Sequence, residues 1–431
     1  MKKTIFIIYL SIVTLTTSCT NWKQIGQDIH SAAPGDYSGM ATAMNSDGSV
    51  IAVGSPYNDN NGIGAGHVRV FQNQDDKWIP LGKNIEGLEP YEHFGSTIAM
   101  SANGNIIAVG ATHSKANGDN SGQVRTFEYR DKDWVQLGQY LNGANAYDEF
   151  GYHISLSDDG KTLASGAPHN EPAGEINSSI TIYTLNNKNT WEILGNPIQG
   201  TVRTPYFEGH RIHHEGQIGK TFELSGDGLS LVISSDYSQG NVIVYTWIDG
   251  RWQRKGNIIN YDHRGYNLPA NTVAINKDGS SIAIGYANTQ VSKYTNESKR
   301  GNILLNGHVQ VFTLNANTEW EQVGNTIYGM DLDHFAYKVK LSQSGNRLAV
   351  TSNGSDLDGG AKDYNFVSIF ELIDDKWQLD GERIKLEKAY LDFPNAVDIN
   401  EDATMVIIGN SNMDKNYNTF GEVKIFKNDS E

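Results

Sequence analysis

The chain has a single cysteine in 431 residues, Cys19, so it can form no internal disulfide. It is also short of positive charge. Against 50 Asp and Glu stand 34 Lys and Arg, a formal charge of −16, which argues against the basic surface that nucleic acid requires. Beyond residue 15 no apolar run approaches the roughly 20 residues a membrane-spanning helix needs. Hydrophobic residues amount to 38%, low for one large core and suited to thin stacked sheets with polar loops. No G-x-S-x-G elbow, H-E-x-x-H zinc motif or phosphate loop is present, which leaves catalysis poorly supported. The acidic balance favours solubility and names no partner.

What the chain does have is a repeat. Trp22, Trp78, Trp134, Trp191, Trp252, Trp320 and Trp377 each open a phrase close to W-x-x-L-G-x-x-I. The fourth residue after each is glycine: Gly26, Gly82, Gly138, Gly195, Gly256, Gly324 and Gly381. The seventh is aliphatic: Ile29, Ile85, Leu141, Ile198, Ile259, Ile327 and Ile384. A strand-rich repeat of this length indicates a ring or array of like units.

Residues 94 to 141 show one unit. Phe94 to Ser101 alternates weakly, Ala102-Asn103-Gly104 is a hairpin signal, and Asn105 to Gly110 is apolar on both faces. Gly122 to Phe127 is a third strand, and a short turn leads to a fourth at Trp134-Val135-Gln136-Leu137-Gly138. This is a four-stranded antiparallel propeller blade. Seven blades begin at Ser38, Phe94, Phe150, Ile218, Pro269, Phe335 and Phe393. The last has three strands and ends at Val423 to Phe426, while Trp22 to Ile29 precedes the first. Pairing these two segments closes the ring and removes an exposed edge. The expected fold is all-β, a seven-bladed β-propeller over residues 22–426, with a tail at 427–431. Each tryptophan is expected to pack between blades rather than stack on a sugar; Trp247 falls outside the pattern.

Phe94-Gly95 to Gly110-Ala111 and Phe150-Gly151 to Gly166-Ala167, with W-x-x-L-G and G-x-V-x-V-F, resemble FG-GAP repeats, the units of integrin alpha-chain propellers and of many bacterial surface proteins. Ile218-Gly219, Pro269-Ala270 and Phe393-Pro394 depart from that pattern. Many such repeats carry a D-x-D-x-D-G calcium loop. Here the same place reads Asn45-Ser46-Asp47-Gly48, Ser157-Asp158-Asp159-Gly160 or Asn276-Lys277-Asp278-Gly279, too few carboxylates for the six or more oxygens calcium takes. These are read as hairpin turns, and no metal or cofactor is expected.

The start of the chain, Lys2-Lys3, an apolar run from Ile5 to Leu15, then Leu15-Thr16-Thr17-Ser18-Cys19, resembles a bacterial lipoprotein signal, although the aliphatic residue lies four before the cysteine. The resemblance implies that residues 1–18 are removed, that Cys19 is lipidated, and that 19–21 is a short tether. The protein is then expected in the bacterial cell envelope, held to its membrane by lipid alone on the outer-membrane or periplasmic face.

Blade geometry divides the loops. From blade start to second strand the offset is constant at 14 residues, for example 94 to 108 and 335 to 349. On the opposite face the loops vary, with insertions at 201–217 and 286–308 on adjacent blades. Binding sites are built where the scaffold tolerates change, which selects Tyr206, His210, Arg211, His213 and His214 in the first insertion and Tyr286, Lys293, Tyr294 and Arg300 in the second. The histidines offer metal ligands, but no supporting shell is legible, so a polar-aromatic recognition loop is favoured. Asp36, Glu92, Asp148 and Asp333 recur two residues before their blade starts and are expected at the channel mouth, accepting hydrogen bonds from the turns.

The sequence thus points to a non-catalytic, monomeric binding or assembly module that recognises a protein or glycan at the cell envelope. The alternative is a carbohydrate-active enzyme using carboxylates at the channel mouth.

Overall fold

The computed structural model describes residues 21–429, apart from 170–177, 201–216, 237–240, 261, 264–265, 268–269, 271, 288, 295–299, 306, 330–334, 354–363, 388–395 and 414–418. Among the described residues every regular element is a strand, and no helix is long and apolar enough to cross a membrane. Seven antiparallel sheets form the blades of a propeller, joined by two small two-stranded hairpins. Their innermost strands are Ala41–Met44, Phe94–Met100, Ile154–Leu156, Gln217–Leu224, Thr272–Ile275, Val339–Leu341 and Ala396–Ile399. In blades one, three, five, six and seven the inner strand begins three or four residues after the expected start.

The ring closes as expected. Trp22–Gln24 pairs with the last strand, Thr419–Asn428, in the register Trp22 to Asn428 and Gln24 to Phe426. That strand runs two residues past the expected end at 426.

The repeated phrase has a physical reading at each of its three fixed places. The indole N–H of one blade donates to the carbonyl just before the phrase glycine of the preceding blade. Trp134 reaches Leu81 at 2.8 Å, Trp320 reaches Lys255 at 2.9 Å, and Trp22 closes the circle on Asp380 at 3.3 Å. Trp191 is the variation and donates to the Thr126 hydroxyl at 2.8 Å. The glycine must be bare for this contact. A Cβ on Gly324, whose φ is +72°, would stand 2.6 Å from Trp377 Cδ1. Beyond the glycine the aliphatic residue turns back and pairs with the third strand, as Ile29 with Val423, Ile85 with Val68 and Ile384 with Val367. Blades are therefore four-stranded with a short fifth segment on the third strand, a feature the four-strand reading did not include. Trp247 packs on Trp252 at 5.5 Å and covers Gly195, so the extra tryptophan fills the same inter-blade groove.

Between blades the core is a series of apolar seams. One holds Val50, Ala52, Val70, Phe94, Ile107 and Val109, and a matching one spans the closure with Ile29, Met44, Ile51, Ile407 and Ile425. A buried ion pair sits beside the first of these. Arg125 lies over Phe94 at 4.2 Å and donates to Glu92 Oε1 at 2.5 Å, both residues only 2% exposed.

Candidate functional site

The seven inner strands enclose a channel holding a cavity of about 640 Å³. Its two ends differ. At the end formed by the turns between first and second strands, each turn uses its own polar side chains internally. Asn45 Oδ1 accepts Val50 N–H at 2.8 Å, and Ser101, Ser157, Ser225, Asn276, Ser342 and Asn400 repeat the bond in the other blades. The acidic residue two places later does the same, as Asp47 with Ser49 N–H at 2.8 Å. The hairpin-turn reading of these segments is therefore correct.

The turns also bond to one another in a closed circle of backbone hydrogen bonds. Ser46 N–H donates to Ala102, Ala102 to Asp158, Asp158 to Gly226, Asp227 to Lys277, Lys277 to Gln343, Gln343 to Glu401, and Glu401 back to Ser46, at 2.8 to 3.2 Å. Within the circle the Gln343 amide reaches Ser46 Oγ at 3.0 Å and Asp158 Oδ2 at 3.3 Å, and Lys277 Nζ lies 3.2 Å from Asp158 Oδ2. This mesh ties blades one, three, five and six and so spans the channel. The cavity is a cup with its floor at the turn end.

Above the floor, Ser155, Glu223 and Asp398 hold the same place in blades three, four and seven. Each accepts a backbone N–H from the next blade: Leu224 at 3.0 Å, Ile275 at 3.3 Å and Met44 at 2.9 Å. Lys340 holds that place in blade six, with Nζ 2.6 Å from Glu223 and 3.9 Å from Asp398. Burial alone would lower the Lys340 pKa, but the two carboxylates outweigh it and raise it, so the ammonium stays charged. One step higher, Lys338 and His153 line the wall. Burial, with Lys340 as a second cause, lowers Lys338; burial, then Lys338 and Lys340, takes His153 down to about 3. His153 is thus a neutral imidazole at pH 7, set edge-on against Phe222 at 4.8 Å.

The open mouth carries an arc of rings across blades one to three. Tyr37 meets Tyr57 at 4.8 Å between centroids, Tyr57 meets His93 at 4.4 Å, and His93 meets His113 at 4.3 Å. His93 Nδ1 and His113 Nδ1 share a hydrogen bond of 3.0 Å. In the next blade His169 lies 3.6 Å from Glu149 and 5.9 Å from Tyr152. Burial, then His113, lowers His93 to about 4, so this imidazole too is neutral at pH 7.

Two repeat columns build the arc. Tyr37, His93 and Glu149 each follow a buried acid, and Tyr57, His113 and His169 each follow the second strand by two residues. The first three sit at φ of 55°, 54° and 49°, a left-handed conformation that costs side-chain-bearing residues on the order of 1 kcal/mol or more each. The acids hold the turns that impose it. Asp36 accepts Ala33 N–H at 2.9 Å and Asn58 Nδ2 at 3.0 Å, Asp148 accepts Asn145 N–H at 2.8 Å, and Glu92 accepts Leu88 N–H. The turn-acceptor reading of Asp36, Glu92 and Asp148 holds; Asp333 lies outside the described residues.

The residues expected to bind are distributed differently. Tyr206, His210, Arg211, His213 and His214 lie outside the described residues, as does Cys19. Lys293, Tyr294 and Arg300 fall on a two-stranded hairpin, Thr289–Tyr294 with Arg300–Leu305, which corrects the reading of that insertion as an open loop. Tyr286 is corrected more sharply. The second strand of blade five extends through it, and the ring is 1% exposed, stacked on His308 at 4.8 Å with 16° between planes. It belongs to the packing between blades. Among the described residues one group, Asp28, His30 and Glu422, brings three metal-ligand types within 4.8 Å, but at the closure seam, where Lys424 Nζ stands 3.1 Å from Glu422.

Sequence reasoning missed the arc. Its signal was present in one column: an aromatic or histidine two residues past the second strand in three consecutive repeats, Tyr57, His113 and His169.

No family model matches the chain, and no curated protein matches it. Solved structures do. A chain of the mitotic checkpoint complex is 13% identical, with 99% of this chain and 98% of that one covered and a TM-score of 0.54. A protein of Bacteroides uniformis assigned as a 6-phosphogluconolactonase is 12% identical, covering 84% and 91%, with a TM-score of 0.51. At such identities the likeness is one of fold alone.

Proposed function

We propose that this propeller is an exported, non-catalytic recognition module of the FG-GAP kind, lipidated at Cys19, whose binding surface is the open mouth and the loops around it. The observation that carries this reading is the difference between the ends of the channel. One is sealed by hydrogen bonds that leave few polar groups to offer. The other gathers Tyr57, Tyr91, Tyr147 and Tyr152, 39, 54, 56 and 38% exposed, on one face around paired imidazoles. Tyrosine suits recognition because it offers apolar area with a polar tip at low entropy cost. The partner is a protein or glycan at the envelope. With only Thr20 and Asn21 between Cys19 and the closing strand, that partner lies near the membrane. The carbohydrate-active alternative is the weaker, because Asp36, Glu92 and Asp148 are engaged by turn backbone rather than free at the mouth.

Two experiments test this reading. Cys19→Ala is expected to move the protein from the membrane to the soluble fraction; continued membrane partition would remove the anchor. Affinity capture from the native envelope is expected to recover a partner that is lost when 201–216 and 289–305, which leave the blade strands intact, are deleted or Tyr57 is truncated. Capture indifferent to all three changes would contradict the binding surface.

A further inference from the structure

We propose that the cup takes the terminal acidic sugar of a glycan, its ring against Tyr57 and His93 and its carboxylate at Lys338. This inference rests on the recognition reading above and adds the ligand class to it.

The shape sets the first condition. The cup is closed at the turn end by the circle of backbone bonds and the Gln343 mesh, so a ligand enters end-on from the mouth. A cavity of about 640 Å³ falls in the range of small-molecule sites. A narrow terminal residue fits this better than a continuous chain. Beneath the arc the wall is cut back: Ala43 and Ala99 of blades one and two line the channel where blades four, six and seven carry Glu223, Lys340 and Asp398, and Ala41 and Thr97 stand at the place of Lys338. Space is therefore left on the side below Tyr57 and His93.

Charge sets the second condition. The cations Arg125, Arg347 and Lys340 each stand against a carboxylate: Glu92, Asp380 and Glu223. Lys338 does not. Among the described residues no carboxylate lies within 4 Å of its Nζ. The Lys340 ammonium acts on both Lys338 and His153, Lys338 acts on His153 as well, and the Tyr337 ring lies 5.8 Å from Lys338 Nζ, while Lys220 lies on the same channel lining. Glu223 and Asp398 are already engaged by Lys340 and by backbone N–H groups. A half-buried ammonium on the channel wall with no carboxylate beside it favours an anionic ligand over a neutral or cationic one.

The mouth sets the third. Tyrosine rings present flat apolar faces that match the C–H faces of a pyranose, and the neutral His93 ring adds a polar edge beside them. A carboxylate-bearing sugar meets all three conditions at once.

The test is calorimetric titration of the full exported chain carrying Cys19→Ala, at pH 7, with glucuronate, galacturonate and N-acetylneuraminate. Glucose and galactose serve as neutral counterparts and glutamate as a carboxylate without a sugar ring. At least one acidic sugar is expected to bind tenfold or more tightly than its neutral counterpart and than glutamate. Lys338→Met is expected to abolish that preference, Lys338→Arg to keep it, and Tyr57→Ala to weaken sugar binding while glutamate is unaffected. Thermal unfolding of each variant verifies that it is folded. Equal binding of acidic and neutral sugars, an unchanged preference in folded Lys338→Met, glutamate binding as well as the sugars, or no binding of any probe would each overturn the proposal. A protein captured through the mouth while every sugar fails would leave the recognition reading standing and remove the sugar.

Discussion

The two ends of the channel are made by the same seven repeats and have been put to different uses. At the turn end a Ser or Asn opens every turn and satisfies its backbone, and the turns then link into a circle, with Gln343 and Lys277 bridging the middle. At the mouth, equivalent positions differ from blade to blade, and three adjacent blades carry strained residues beside buried acids, Tyr37, His93 and Glu149, the first two bearing rings. Uniformity marks where the repeats need one another. Departure from uniformity, held in place at an energetic cost, marks where they act on something else.

Breaking the uniform part is expected to have the largest effect. Trp78→Ala empties a site 1% exposed and removes the indole bond to Ile25, which is expected to cost about 3–5 kcal/mol by chemical denaturation. Arg125→Ala leaves Glu92 buried without its partner and is expected to cost a similar 3–5 kcal/mol. Gly324→Ala follows at about 2–5 kcal/mol, from the left-handed backbone and the clash with Trp377 together. Gly250→Ala, with φ of +76° and open space around it, is expected to cost only about 1–2 kcal/mol. Equal costs for the two glycines would mean that the Trp–Gly contact does not hold the blades together.

Acid sharpens the comparison further. His67, fully buried, has its pKa lowered to about 4, first by burial and then by Arg69. The unfolded chain therefore takes up this proton first. The stability is present in full above about pH 6.5 and is lost as pH falls toward 4, roughly 2 kcal/mol of it by pH 5. Glu223 and Asp398, raised by burial, carry the opposite sign. The informative quantity is thus the difference between wild type and His67→Gln, which is expected to narrow by about 2 kcal/mol between pH 6.5 and 5. A constant difference across that range would contradict the burial account.

Smallest in stability is the mouth itself. Tyr57→Ala is expected to shift stability by no more than about 0.5 kcal/mol while abolishing partner capture. Loss of both together would make Tyr57 part of the scaffold.

Much of this division was legible in the sequence. Seven tryptophans with their glycines and aliphatics fixed the blade number, and the orphan strand at Trp22 predicted the closure seen at Asn428. The turns and buried acids were also legible, because their acceptors serve neighbours a few residues away. The arc was harder to read because it joins residues 76 positions apart (Tyr37 to His113), which only the ring brings side by side. Tyr286 was misassigned because an insertion follows it directly, and nothing local says that the strand keeps one more residue and that His308 receives the ring. The first insertion, 201–217, lies almost wholly outside the described residues.

The most direct test of the account is capture from the native envelope with two substituted propellers. One carries Tyr57→Ala and His93→Ala at the mouth. The other carries Leu229→Glu at an exposed turn-end position, 48% exposed. The account expects the mouth variant to lose its partner and the turn-end variant to retain it; the reverse result would place recognition on the wrong end of the channel.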